Sequence, residues 1–404
     1  MAQYNAPLYA SYTTKAAREK MNERIIKNTI TKNLSLPITE DTEGYWEDAF
    51  NAMQVFDVKT PFTQQKVLQA FDSVEWRSPS FQRALLEVTY AMFPGTFDTL
   101  VLDLIDKTFY NKIFAMGVEC LLNTSSADVY KESLYTLMLE KFGAEFYKDP
   151  TLLMLSKKLI SNYEDEPLFI EKVLPELLNR NFLRGKVIMY SFQRKNRDYP
   201  GLVLLRKTNG DIVKDSTGQI FHIPQLARSI TNLPFYLRNG YTPQGIFRMY
   251  GFEISRSNFI GPTANVQMGM PVELNKKKYF GDTTISDSIW ALENYQQIIP
   301  GSIRNYFPLY EAYYAGLAGR NEIIAHGTTV DPELYAGKPY YPLTPTMGCL
   351  CTKEIWNGIR EESDQQKLVN GLLSAGGANG YAVVIEIDDK EAPVTLEDLR
   401  KYLK

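Results

Sequence analysis

The sequence predicts a multidomain α+β protein, with an all-helical N-terminal domain and a mainly β C-terminal domain that carries helical insertions. Three observations support this prediction. The chain has 404 residues, which exceeds the size at which one hydrophobic core keeps growing. Apolar residues recur at helical spacing from about residue 13 to residue 196, and short runs rich in β-branched residues follow. The predicted domains are therefore residues 1–195 and 196–404.

Proline divides the N-terminal half into segments of helix length. Ser78-Pro79 and Asp149-Pro150 each have a capping residue before proline, which is typical of helix starts. Breaks spaced in this way predict paired antiparallel helices. A weak internal repeat suits stacked helix pairs of the HEAT kind.

The C-terminal half begins with a hairpin signal, in which residues 202–206 precede the turn sequence Asn209-Gly210-Asp211. The remaining predictions are short elements separated by loops. The predicted strands are 202–206, 221–223, 245–250, 322–325 and 381–387, and the predicted helices are 286–297, 303–318 and 396–403.

Composition limits the classes of partner. The net charge of −3 and the pI near 5.7 provide no basic field for nucleic acid. No apolar run of roughly 18 residues predicts a transmembrane segment. The sequence shows no signal peptide, although its opening resembles an initiator methionine before a mature terminus, so export of a precursor stays open. Cys120, Cys349 and Cys351 are too few for a disulfide framework or a four-ligand zinc site, and no metal or cofactor is expected.

A cysteine and a histidine near the C-terminus form a candidate catalytic pair. A thiol must become a thiolate to attack a carbonyl, and an imidazole is the usual base for this step near neutral pH. The chain contains two histidines, His222 and His326, and only His326 lies in a Gly-flanked motif. Gly348-Cys349 follows in the same stretch of the chain, which puts a nucleophile and a base within folding reach. Cys349 is therefore the candidate nucleophile.

Three separated segments resemble motifs of one family. They are Thr242 to Phe247 (TPQGIF), Ile324 to Thr328 (IAHGT) and Thr346 to Leu350 (TMGCL). Together they resemble the TPxGxF, HGT and [S/T]xGC motifs of the L,D-transpeptidase catalytic domain, also called the YkuD family. The resemblance covers roughly residues 200 to 390, and it rests on the order of all three motifs because short patterns recur by chance.

The resemblance implies a role for each matching residue. Cys349 matches the nucleophile that is acylated by a peptidoglycan stem peptide, and His326 matches its base. Gly327 matches the residue whose carbonyl orients the imidazole, and backbone N–H groups around Met347, Gly348 and Cys349 would form the oxyanion hole. Predicted substrate-binding residues are Thr346 in the motif, Tyr340 and Tyr341 beside the catalytic loop, and Arg304, whose guanidinium could bind a stem-peptide carboxylate.

The chain departs from the family at several places. Met347 stands where the family usually has His, and Cys351 stands where it usually has Arg or Asn. We expect Cys351 to be a packing residue, with a resolving thiol as the alternative. A Tyr-rich insertion at about residues 271–321 is predicted to be a helical lid that excludes water, with structural buttressing as the alternative.

These features predict a cysteine-dependent enzyme of the cell envelope, periplasmic or exported, that acts on peptidoglycan stem peptides. An acyl-thioester on Cys349 would be transferred to an amine. Hydrolysis by an L,D-carboxypeptidase or endopeptidase is the alternative within the enzyme class. A non-catalytic envelope scaffold, with a protein partner bound by the helical domain, is the alternative from another class.

Overall fold

A computed structural model describes residues 8–124, 127–160, 170–286 and 289–403. Helices and a large mixed sheet are both present, which confirms the α+β class. The described residues fall into two compact units, one within the ranges 1–14, 164–229 and 241–404, and the other within 15–163 and 230–240. The predicted boundary near residue 195 lies inside the first of these units.

The second unit is helical. Its described helices are α1 (Lys15–Arg24), which continues as a π-helix over Ile25–Lys32, α2 (Glu43–Val55), α3 (Pro61–Ala70), α4 (Pro79–Met92), α5 (Asp98–Lys107), α6 (Asn111–Leu122), α7 (Ala127–Phe142) and α8 (Pro150–Ile160). The predicted caps are confirmed. Ser78 Oγ accepts the N–H of Phe81 at 3.2 Å, and Asp149 Oδ1 accepts the N–H of Leu152 at 2.9 Å. The helices pack through α4 and α6, which bury most of their apolar residues.

The first unit contains the sheet. Its described strands are β1 (Val187–Arg194), β2 (Gly201–Arg206), β3 (His222–Gln225), β4 (Gly245–Glu253), β5 (Asn265–Gly269), β6 (Ala325–His326), β7 (Leu350–Cys351), β8 (Glu354–Asn357), β9 (Ile359–Ser363) and β10 (Asn379–Asp388). Among the described residues, eight of these strands form one sheet in the order β3-β2-β1-β10-β4-β5-β6-β7, and β8 and β9 form a hairpin. The pairs β1–β10 and β6–β7 are parallel.

The two ends of the large sheet meet. Leu226, directly after β3, exchanges two backbone hydrogen bonds of 2.8 Å with Cys351 of β7. This pairing closes the sheet on itself and fixes β7, which is only two residues long, from both sides. Both edges of this short strand are therefore paired, one with β6 and the other with Leu226.

The helices of the sheet-bearing unit cover its faces. They are α9 (Ile170–Leu178), α10 (Lys276–Phe280), α11 (Leu292–Gln296), α12 (Glu311–Leu317), α13 (Asp364–Ala375) and α14 (Leu396–Leu399). No helix among the described ranges is long and apolar enough to cross a membrane.

Some sequence predictions were wrong in extent. The sequence predicts helix up to residue 196, but residues Val187–Arg194 form β1, in which every residue is buried. The strand opens on a continuous apolar run, residues 187–190, and periodicity alone cannot assign such a run to a strand or a helix. The strand predicted at 322–325 begins only at Ala325. The helix predicted over 303–318 is shorter, because a 3₁₀ turn over Phe307–Tyr310, which contains Pro308, precedes α12. Of the helix predicted at 286–297, the structure has α11, and residues 287 and 288 lie outside the described residues.

The Tyr-rich insertion contributes to the core. Tyr279 and Tyr295 are fully buried beside sheet residues such as Tyr190. Their hydroxyls bind the backbone of Ile246 in β4, Tyr279 donating to the carbonyl at 2.7 Å and Tyr295 accepting from the N–H at 2.8 Å. This packing favours the buttressing alternative for the insertion over a lid that opens.

Candidate active site

The candidate nucleophile and base lie on adjacent short strands. In the parallel pair of β6 and β7, Ala325 is opposite Leu350 and His326 is opposite Cys351. Cys349 directly precedes β7, and the N–H of Leu350 donates to the carbonyl of Ile324 at 3.0 Å. This register pairs His326 with Cys351, two residues after Cys349, so the candidate base and nucleophile lie on neighbouring segments of the sheet.

His326 is buried and held in one tautomer. Its Nδ1 lies 2.6 Å from the carbonyl oxygen of Gly327. A carbonyl can only accept a hydrogen bond, so Nδ1 carries the proton and Nε2 is left as the basic nitrogen. Burial lowers the pKa of His326, and the bond to Gly327 opposes this in part. The imidazole is therefore neutral at neutral pH and able to accept a proton.

Gly327 is packed tightly from behind. A Cβ at this position would lie 2.2 Å from the carboxyl carbon of Glu354. That carboxyl is buried and accepts hydrogen bonds from Thr263 at 2.7 Å and from Ser363 at 2.5 Å. Burial raises the pKa of Glu354 to about 7. Any side chain at residue 327 would therefore require the Glu354 carboxyl to move.

Cys349 is partly exposed and is a thiol at rest. Burial of the sulfur raises its pKa to about 11, while the N–H of Ile324 and the charge of Arg320 act in the opposite direction. Its Sγ lies 3.4 Å from the carbonyl oxygen of Glu322. A nucleophile in this state needs a base when substrate arrives, because almost none of it is thiolate near neutral pH.

The residues before Cys349 form a tight turn. Gly348 has φ of +118°, a conformation that favours glycine. The Thr346 hydroxyl accepts the N–H of Gly348 at 3.1 Å and donates to the carbonyl of Cys349 at 2.9 Å. The predicted substrate-binding residue Thr346 thus has its hydroxyl engaged within the turn, and the N–H of Gly348 is already used. Among the described residues, none accepts a hydrogen bond from the N–H of Met347 or Cys349.

Thr242 joins the first motif to the third. Its hydroxyl donates to the carbonyl of Gly348 at 2.9 Å. Two residues further on, the side-chain amide of Gln244 donates to Glu311 of α12 at 3.0 Å, and the same carboxylate accepts the backbone N–H of Gln244 at 2.8 Å. The motif is therefore tied both to the cysteine turn and to the insertion.

Arg320 is a site residue that sequence reasoning missed. It is buried, its Nη1 donates to the carbonyl of Tyr241 at 2.7 Å, and its charge favours the thiolate of Cys349. Burial lowers the pKa of Arg320 to about 10. It lies four residues before Ile324, the first residue of the second motif, so no sequence signal separates it from the other arginines.

The other predicted substrate residues have structural contacts. Tyr340 is buried in a small apolar cluster, with the Arg228 guanidinium 5.1 Å from its ring centroid. Tyr341 is exposed and donates to Glu333 at 2.7 Å. Arg304 is exposed in the insertion, and its Nε donates to the carbonyl of Ile299 at 3.2 Å. Of the three, Tyr341 and Arg304 present side chains to solvent.

Met347 and Cys351, the two positions at which the chain departs from the family motif, differ in exposure. Met347 is 46% exposed beside the nucleophile. Cys351 is fully buried, its thiol lies 3.8 Å from the Thr344 hydroxyl, and burial raises its pKa to about 12. A buried thiol of this kind attacks poorly, which favours packing over a resolving role for Cys351. Within the described residues, no group of three or more His, Cys, Asp or Glu could hold a metal ion.

No protein-family model, curated protein or solved structure matches this chain.

Proposed function

We propose that the protein is a cysteine acyltransferase of the L,D-transpeptidase type, which acylates Cys349 with a peptidoglycan stem peptide and transfers the acyl group to an amine. The observation that carries the proposal is the state of His326. Its Nδ1 is bonded to the carbonyl of Gly327 at 2.6 Å, which leaves Nε2 as a base on the strand beside the cysteine. The three motifs support the substrate class, because they resemble those of that family.

In the proposed reaction, His326 Nε2 takes the proton from the Cys349 thiol as Sγ attacks a stem-peptide carbonyl. The carbonyl electron pair moves onto oxygen, and the N–H of Cys349 donates to the oxyanion. The intermediate then expels the terminal D-residue as an amine, which receives the proton from His326. A thioester remains on Cys349.

The second half of the reaction transfers the acyl group. An amine attacks the thioester, His326 accepts its proton, and the proton returns to the departing sulfur. Water in place of the amine would release a shortened stem and make the enzyme a carboxypeptidase or endopeptidase. Arg320 stabilises the thiolate as it forms and as it leaves, since it is the cation whose charge favours this state.

The test is mass spectrometry of the full chain mixed with purified tetrapeptide muropeptides. We expect loss of a terminal D-residue, with cross-linked dimers if an amine is the acceptor. Both products should disappear in Cys349→Ala and His326→Ala. Cys120→Ala is the matched control, because it removes a buried thiol of the helical unit that donates to the Leu86 carbonyl.

Two results would redirect the proposal. Shortened stems without dimers would identify a hydrolase. Muropeptide binding that survives in Cys349→Ala, together with no product and no acyl-enzyme in the unmodified chain, would exclude the enzyme and favour the scaffold. In that case the helical unit would be the first place to look for a protein partner.

A further inference from the structure

Threonine hydroxyls hold the peptide bonds on both sides of Cys349. The Gly348 carbonyl accepts the Thr242 hydroxyl at 2.9 Å. The carbonyl on the other side of Cys349 accepts the Thr346 hydroxyl at 2.9 Å. The N–H of the cysteine lies between these two bonds, and a trans peptide directs its N–H opposite to its C=O. The Thr242 bond therefore determines the direction in which the Cys349 N–H points.

Thr242 is itself rigidly placed. It is fully buried, and its N–H donates to the carbonyl of Ala227 at 3.0 Å. Its carbonyl accepts Nη2 of Arg197 at 3.4 Å, and the Arg197 guanidinium lies 5.1 Å from the ring centroid of Tyr241. The N–H, carbonyl and hydroxyl of Thr242 thus all have hydrogen-bond partners. Its backbone is fixed, and so is the position of the hydroxyl that bonds Gly348.

The N–H of Gly348, the neighbouring donor in the turn, cannot bind the oxyanion because it is already engaged. The N–H of Gly348 donates to Thr346 at 3.1 Å. An oxyanion formed on the carbon attacked by Cys349 would therefore depend on the N–H of Cys349 itself, with that of Met347 as the next nearest. The direction of one peptide plane then governs how well the developing charge is stabilised.

We propose that Thr242 is a positioning residue that orients the Cys349 N–H toward the oxyanion, by holding the Gly348 carbonyl through its hydroxyl. The inference rests on the proposed acyl chemistry of Cys349, and not on peptidoglycan as the substrate. Two properties of Cys349 can then be varied separately, the stabilisation of its tetrahedral intermediate and the nucleophilicity of its sulfur. Thr242 should control the stabilisation of a tetrahedral intermediate, and it should have little influence on the nucleophilicity of sulfur.

Two small probes distinguish these properties in the full chain. With p-nitrophenyl acetate, sulfur attacks a carbonyl, an oxyanion forms, and nitrophenolate leaves to give an S-acetyl cysteine. With iodoacetamide, sulfur displaces iodide from a methylene carbon and no oxyanion forms. The acylation rate and the alkylation rate of Cys349 are both measured by intact mass at pH 8, with Cys349→Ala as the background.

Thr242→Val keeps the shape of the side chain and removes its hydroxyl. We expect its acylation rate to fall roughly tenfold to a hundredfold, less than the loss typical of deleting an oxyanion donor outright. Its alkylation rate should stay within about twofold of the unmodified chain. Thr242→Ser restores the hydroxyl and should restore acylation. Thr89→Val is the matched control, because Thr89 is buried in α4 and its Oγ1 has no hydrogen-bond partner among the described residues.

Several results would overturn the inference. They are an equal fall of both rates in Thr242→Val, an unchanged acylation rate, failure of Thr242→Ser to restore it, or no acylation of the unmodified chain. If Thr242→Val does not fold, the ratio of the two rates in Thr242→Ala decides by the same criterion. A normal Thr242 effect in a chain that leaves muropeptides untouched would remove the proposed substrate and keep this inference.

Discussion

The thiol of Cys349 donates a hydrogen bond to the main-chain carbonyl of Glu322, with 3.4 Å between sulfur and oxygen. Glu322 has φ of +58°, which is uncommon for a residue with a side chain. Its N–H is held by the Glu273 carboxylate at 2.7 Å. The resting thiol is therefore bound to the backbone. Substrate binding and proton transfer to His326 must compete with that bond.

Arg320 should control the reactivity of this thiol. Burial raises the pKa of Cys349 to about 11, and the charge of Arg320 opposes the rise. Because only the thiolate reacts, the rate of alkylation by iodoacetamide should increase about tenfold for each unit by which the pH is raised, until the pH reaches that pKa. Removing the charge in Arg320→Gln should raise the pKa further and slow alkylation at pH 8 by roughly threefold to tenfold. Arg320→Lys keeps a positive charge and should lie between the two. An Arg320→Gln rate equal to that of the unmodified chain would exclude this role.

His326 should produce an acid limb in the pH profile of turnover. Burial lowers its pKa from 6.5, so the imidazole should remain an effective base at pH 6.5 and lose activity only as the pH falls through the lower value. The quantity to measure is kcat/KM for a tetrapeptide muropeptide between pH 4 and pH 8. His326→Gln should reduce turnover by about 10²- to 10⁴-fold and remove this limb. A limb centred at or above pH 6.5 would contradict a pKa lowered by burial.

Glu354 should make the folded state less stable as the pH rises. Its pKa is about 7 when folded, against a usual value of 4.5, so the folded protein holds this proton more tightly than the unfolded chain does. The free energy of unfolding should therefore fall between about pH 4.5 and pH 7, by at most about 3 kcal/mol from this group. Glu354→Gln should equal the unmodified chain near pH 4.5 and exceed it at pH 8 in urea unfolding. Curves that stay parallel across this range would contradict the prediction.

Gly327→Ala should destabilise the site and reduce activity. The added Cβ would meet the Glu354 carboxyl at 2.2 Å, and overpacking of this kind costs about 1–3 kcal/mol. The carbonyl of residue 327, which bonds Nδ1 of His326, would move with the backbone. Gly301→Ala is the control, since a Cβ there meets no atom within 4 Å. Thermal unfolding and turnover of the two variants give the comparison, and equal behaviour would show that the Glu354 carboxyl moves aside at little cost.

Lys158→Met should destabilise the helical unit. Lys158 donates at 2.6 Å to Glu119, which is 1% exposed and also accepts the Tyr236 hydroxyl. Loss of the cation leaves a buried carboxylate with one partner fewer, at a cost of roughly 3 kcal/mol, the low end for a buried pair because Lys158 is 29% exposed. In the control Lys148→Met, both members of the Lys148–Glu145 pair are exposed, and the change should be within about 0.5 kcal/mol. Urea unfolding monitored by circular dichroism measures both, and a similar small effect would rule out a structural role for Lys158.

The sequence predicts a helix start or a strand correctly where the residues that define the element are adjacent in the chain. The caps at Ser78 and Asp149 were predicted from a side chain and the proline that follows it, and the structure contains both. The strand predicted over 381–387 lies within β10. The sequence does not reveal β1 because the strand opens on the continuous apolar run 187–190, which periodicity alone cannot assign to a strand or a helix.

The amino-acid sequence by itself determined the α+β class and the identity of the candidate pair, because His326 and Cys349 occur in short motifs whose residues are adjacent in the chain. Tertiary structure alone decided how they are held. Thr242, Arg320 and Glu354 reach the site from separate segments, and Leu226 closes the sheet behind it. Such contacts depend on the path of the whole chain. Burial, which shifts the pKa of Cys349 upward and that of His326 downward, likewise exists only after the chain has folded.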